Sequence, residues 1–190
     1  MSILHKKLQQ EPFSPKEAKK VGVDRNQLAK LLRQGVVVRI AHGVYQSSEV
    51  IDLSEEDLMK SALLRAREPS AICLQSALSY YNLTDIIPKK VWILVSATKT
   101  SHQKDLRLWR RRQPKWNIGI KTIGKLKITS IERTIVECLR HKELIGGPGE
   151  AISALKRAFN DKKTTTTKLL SMANKLKVKD RILPYLEALL

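Results

Sequence analysis

Leu28, Leu31 and Leu32 repeat at the i, i+3, i+4 interval of a helix that lays one stripe on a core, with polar residues on either side of them. Asp24 caps the start of that segment and Gly35 ends it. Upstream, Ser14-Pro15-Lys16-Glu17 predicts another helix. Ser14 is the cap, Pro15 suits the first helical position, Glu17 falls where a capping box requires it, and Gly22 closes the helix. His5 to Gln10 supplies a short first helix. After Gly35 the period changes: Val36 to Ile40 is a β-branched run, Ala41-His42-Gly43 turns the chain, and Val44-Tyr45 returns it. Helix, tight turn, second helix and hairpin is the order of a winged helix-turn-helix, here over residues 1–48.

Residues 49–57 carry five acids and no Lys or Arg, and read as an acidic hinge leading into a helix capped by Ser54. A second domain is expected over 58–190. Its pattern predicts a helix from Leu58 to Arg67, and another capped by Ser70 through AICLQSALSYYNL. Strands are expected at Lys89–Ser96, Trp116–Ile120 and Lys125–Ile128, the last two joined near Gly124. Thr129 with Glu132 opens a helix that runs through Leu139, Gly146 to Gly149 forms a loop, and about three helices close the chain. Thr164–Thr167 leads into one of these helices, and Pro184 kinks or restarts the last. Together these elements predict an α+β protein with a small sheet in its second part.

Composition sharpens the picture through charge. The 190 residues hold 36 Lys and Arg against 18 Asp and Glu, a net charge of +18, which calls for a polyanionic partner. No apolar run reaches the roughly 20 residues that span a bilayer, and MSILHKKLQQ lacks the apolar core of a signal peptide, so a cytoplasmic protein without a membrane partner is expected. Cys73 and Cys138 lie far apart among apolar neighbours and read as buried free thiols.

The basic residues concentrate in two places. Residues 1–48 carry nine basic groups against three acids, Glu11, Glu17 and Asp24. With its leucines inward, the helix after Asp24 turns Asn26, Lys30 and Arg33 outward, with Arg25 and Gln27 beside them near its start. Asn and Gln suit adenine, and Arg and Lys suit guanine, in the major groove of duplex DNA. Arg39 and His42 on the wing, and Lys16, Lys19 and Lys20 on the preceding helix, are placed to hold phosphates. Residues 89–127 carry twelve basic groups opposed by Asp105 alone, with Arg107, Arg110, Arg111, Arg112 and Lys115 interleaved with Trp109 and Trp116. That run reads as a possible second nucleic-acid surface, or else as a solvated basic loop beside core tryptophans. No glycine-rich phosphate loop, metal-ligand spacing of His5, His42, His102 and His141, or cluster of acids is present, so neither an enzyme nor a cofactor is expected.

The run from Glu17-Ala18 through Gly22-Val23, Leu28, Leu31 and Gly35 to Gly43-Val44-Tyr45 resembles the winged-helix start of AbiEi-type antitoxins. Ser76-Ala77-Leu78, Leu83-Thr84, Pro88 and Val91-Trp92 resemble the family's next segment, Thr129 to Cys138 its T-S-x-E-R-T block, and Tyr185 to Leu190 its ending. Glu137 and Ala41 depart mildly from the pattern, and the Glu132-Arg133 block reads as a capped helix start with a buried ion pair. The resemblance implies a type IV toxin–antitoxin system linked to abortive phage infection. Its N-terminal domain would bind promoter repeats in double-stranded DNA and repress its own operon. Its C-terminal domain would counteract a nucleotidyltransferase-like AbiEii toxin without a stable complex. The rival readings are a basic RNA-binding or ribosome-associated module driven by residues 89–127, and a plain winged-helix transcription regulator without antitoxin activity.

Overall fold

The computed structural model describes residues 4–99, 103–112 and 116–188. The chain divides into two compact units, Met1–Glu68 and Pro69–Leu190, and helices and strands combine in the expected α+β class.

The first unit opens with α1 (Lys6–Gln9), α2 (Pro15–Lys20) and α3 (Arg25–Arg33), followed by the antiparallel hairpin β1 (Val37–Ala41) and β2 (Val44–Ser47). The capping box predicted at Ser14 forms, and α3 carries a second one at Asp24. Ser14 Oγ accepts from the Glu17 N–H while Glu17 accepts from the Ser14 N–H, and Asp24 and Gln27 do the same for α3. The turn between α2 and α3 requires a residue at positive φ, and Gly22 supplies it at φ 87°. Leu28 and Leu31 are buried with Leu4, Leu8, Phe13, Ala18 and Val37, whereas Leu32 is only half-buried. One feature escaped the sequence pattern. Phe13 pairs with Tyr45 through two backbone hydrogen bonds (2.8 and 2.9 Å), and the two rings stack, so the segment before α2 joins the edge of the wing.

Helix α4 (Glu55–Ala66) is capped by Ser54 and Asp57 and belongs to this first unit, although the pattern placed the second domain from residue 58. Lys60 of α4 reaches Glu11 at 2.8 Å and Glu17 at 3.6 Å.

The second unit contains β3 (Ser70–Ile72), α5 (Leu74–Tyr80), β4 (Val91–Ser96), β5 (Leu106–Arg111), β6 (Ile120–Ile123), β7 (Leu126–Thr129), and helices α6 (Ile131–Arg140), α7 (Pro148–Asn160), α8 (Thr166–Lys175) and α9 (Lys179–Glu187). The sheet order is β5-β4-β3-β7-β6. The β4–β5 and β3–β7 pairs are parallel, while β3–β4 and β6–β7 are antiparallel. Ala71, Trp92 and Leu94 of the sheet join Leu78, Ile135, Leu155, Leu169 and Ile182 of the helices in one core, where Cys73 and Cys138 are buried free thiols.

Several expected boundaries shift. Ser70 does not cap a helix: Ser70–Ile72 is the central strand, and α5 starts two residues later after Cys73. Leu106–Arg111, read as part of a basic run, is the edge strand β5. The strand expected at Trp116–Ile120 begins only at Ile120. Ser130, not Thr129, caps α6, accepting from the Arg133 N–H. Pro148 occupies the first turn of α7, so the glycine loop ends at Gly147. Helix α9 continues through Pro184.

Candidate nucleic-acid interface

Every residue predicted to touch DNA lies in the first unit and is exposed: Lys16, Lys19 and Lys20 on α2, Arg25, Asn26, Gln27, Lys30 and Arg33 on α3, and Arg39 and His42 on the wing. Asn26, Lys30 and Arg33 stand at i, i+4, i+7 and share one face of α3, opposite the buried Leu28 and Leu31. The three acids of this segment are turned to internal work. Asp24 closes the α3 cap, while Glu11 and Glu17 are both held by Lys60. The exposed cations of α2, α3 and the wing are therefore left largely unopposed within residues 1–48.

Local geometry separates the candidate readers. Gln27 Oε1 accepts from the Asp24 N–H at 2.8 Å, so the acceptor half of its amide is committed to the cap. Bidentate recognition of adenine needs both a donor and an acceptor, which leaves Gln27 only a donor role while the cap is closed. Asn26 is exposed at the second position of α3, one turn before Lys30. On the wing, Arg39 Nη2 lies 2.9 Å from His42 Nδ1, and Arg39 Nε bonds the Ala41 carbonyl at 3.3 Å. The guanidinium is always a donor, so a neutral His42 accepts at Nδ1 and carries its proton on Nε2, available to a phosphate. The turn that allows this pair depends on Gly43 at φ 71°.

The second predicted basic set belongs to the other unit, on and just after β5, except Lys115, which lies outside the described residues, as does His102. Two tryptophans of this unit, Trp92 and Trp109, already carry an arginine each. Arg107 sits 4.2 Å from the Trp92 ring centre, and Arg111 sits 4.6 Å from that of Trp109, whose edge also meets His141. Arg110 Nε donates to the Lys99 carbonyl at 2.8 Å.

The ion pair expected near Glu132 and Arg133 is present, one turn along. Arg133 is fully buried and pairs with Glu137 at 3.3 Å, and its other terminal nitrogen donates to the carbonyls of Trp116 and Ile118. Glu132 instead accepts from Thr164 Oγ1 at 3.3 Å. Arg111 reaches Glu137 at 3.5 Å and His141 Nε2 at 2.8 Å. Burial, and then Arg111, Arg140 and Arg181, push the His141 pKa down to about 4. Sequence reasoning missed Arg140 and His141 as members of this cluster. Their signal was the end of α6 following the buried face by one turn, a placement that becomes meaningful only once β5 is known to lie nearby.

Residues 7–48 match the model of a family described as "Transcriptional regulator, AbiEi antitoxin". No curated protein matches the chain. No helix among the described residues is long and apolar enough to cross a membrane.

Proposed function

We propose that this chain is a DNA-binding transcriptional repressor of its own operon and the antitoxin of a type IV toxin–antitoxin pair, acting against a nucleotidyltransferase-like AbiEii toxin. The family match over residues 7–48 supports the regulator and antitoxin reading. The observation that carries the DNA-binding part is the division of charge in the first unit: the base-reading and phosphate-holding candidates are exposed, while Glu11, Glu17 and Asp24 are engaged internally.

In this reading Lys16, Lys19, Lys20, Arg39 and His42 hold the phosphates on either side of α3. Arg25, Asn26, Lys30 and Arg33 then read base edges in the major groove, with Gln27 donating one hydrogen bond. One winged helix spans few base pairs, so two copies on repeated half-sites supply the specificity. The second unit carries the antitoxin activity, consistent with the breadth of the sequence resemblance beyond residue 48.

Competition binding tests the first half: duplex upstream DNA displaces the protein from structured RNA of equal length. The reverse order of affinity would favour an RNA-binding module. Co-expression tests the second half. The intact chain is expected to relieve growth arrest by a co-expressed AbiEii-type toxin, and to need residues 69–190 for that relief. Unrelieved arrest by the intact chain would leave a plain winged-helix regulator.

A further inference from the structure

Lys60 lies on α4, outside residues 7–48 that match the family model, yet its side chain is only 8% exposed and ends on two acids of that segment. Its Nζ stands 2.8 Å from Glu11 Oε1 and 3.6 Å from Glu17 Oε1. Glu17 Oε2 meanwhile accepts from the Ser14 N–H at 2.8 Å and from Ser14 Oγ at 2.9 Å. One carboxylate therefore ties two helices together, with one oxygen on the cap of α2 and the other facing α4. The attachment is wider than this contact. Helix α4 falls in the same compact unit and packs against β2 of the wing, and Met59 and Ala62, which flank Lys60, are buried.

A lysine is rarely buried, because its ammonium is strongly hydrated and its stem loses freedom. Here the buried cation is shared by two carboxylates, and one of them sits among the cations proposed to hold DNA phosphates. Lys16 directly precedes Glu17, and Lys20 follows it by three positions, within one turn of the same helix. Opposite charges at that spacing attract, so a Glu17 without Lys60 would compete with DNA for Lys20. Glu11 and Glu17 would also present two uncompensated negative charges to an approaching polyanion, an effect that reaches about 10 Å at 0.1 M salt.

We propose that α4 is a working part of the DNA-binding unit and that Lys60 is its positioning residue. Lys60 neutralises Glu11 and Glu17 and holds the start of α2, so that Lys16, Lys19 and Lys20 stay free for phosphates. Being buried, it acts through the two acids and not on DNA. The proposal rests on the DNA-binding reading of the first unit and extends that unit past the wing.

Fluorescence anisotropy of the full chain on a random-sequence duplex tests this, because phosphate contacts carry no sequence information. Lys60→Met is expected to weaken binding about five- to ten-fold at about 0.1 M salt, and the loss shrinks as salt rises. Lys156→Met, on an exposed side chain of α7, removes the same net charge and is expected to change binding by less than about two-fold. Lys60→Arg keeps the cation and keeps the affinity. Adding Glu11→Gln and Glu17→Gln to Lys60→Met restores binding, since a glutamine at position 17 can still close the capping box. Thermal unfolding sets an assay temperature at which every variant is folded, so lost stability alone does not register as lost binding. If Lys60→Met has no such temperature, Lys60→Gln, which can still donate to Glu11, takes its place. Equal binding by Lys60→Met and Lys156→Met overturns the proposal, as does a loss that the two glutamines leave unrelieved. In either case the DNA-binding reading stands so long as Lys19→Ala binds more weakly than the unaltered chain. An unaltered chain that binds no duplex overturns both.

Discussion

A fully buried guanidinium is costly unless its donors are matched, and the two terminal nitrogens of Arg133 are matched by two carbonyls and the Glu137 carboxylate, while its Nε has no partner. Removing it strands Glu137 with the single, longer contact from Arg111. Arg133→Ala is therefore expected to destabilise the protein by about 3–5 kcal/mol, read as a shift of the denaturant midpoint. A loss under about 1 kcal/mol would mean that the pair is not a structural anchor. The charge around His141 makes a second prediction. Its folded pKa of about 4 lies below the ordinary 6.5, so the unfolded chain binds the proton more tightly and stability falls as pH drops through that interval. His141→Gln should flatten that part of a plot of melting temperature against pH. An unchanged slope would assign the acid sensitivity elsewhere. At the same scale, side-chain chemistry separates the DNA contacts. Arg25→Ala and Asn26→Ala should each cost about 1–3 kcal/mol on the preferred site and little on random DNA. Lys19→Ala should weaken both alike and lower the salt slope by about 1. Equal losses on the two DNAs for all three would remove the division into readers and clamps.

Helix starts were legible where their chemistry is local. Ser14, Asp24 and Ser54 announce their helices because a short side-chain oxygen and a Glu, Gln or Asp three residues on can satisfy only a helix N-terminus. Asp24→Ala is expected to cost about 1 kcal/mol and to release Gln27, which a melting curve and a binding assay would both register. An unchanged melting temperature would show that the cap contributes nothing. What failed to show was structure imposed from a distance. Ser70-Ala71-Ile72 has a capping residue and a good helix former, yet it is a strand because β4 and β7 flank it on both sides. The edge strand β5 hid inside a run of arginines. Leu106 is buried between its neighbours and Arg107 and Arg111 lay guanidinium groups over Trp92 and Trp109, so the charges are partly sheet surface. The bridge from Phe13 to Tyr45 joins residues 32 apart in the chain, and no periodicity signals it.

At the scale of the whole molecule, +18 ensures affinity for any polyanion and by itself specifies nothing. In the proposed reading specificity comes from the exposed face of α3, whose ten-residue neighbourhood was the most legible part of the chain because a capped amphipathic helix fixes which side chains face out. The arginine-lined cleft of the second unit was the least legible, since its walls come from residues 110–112, 136–140 and 176–178. The most direct test of the central claim is a footprint on the DNA upstream of the gene, with the intact protein and with Arg25→Ala and Asn26→Ala, at low and at moderate salt. The account predicts protection of a discrete repeat that survives moderate salt and disappears in both variants. Featureless coverage that vanishes with salt, alike in all three proteins, would contradict it.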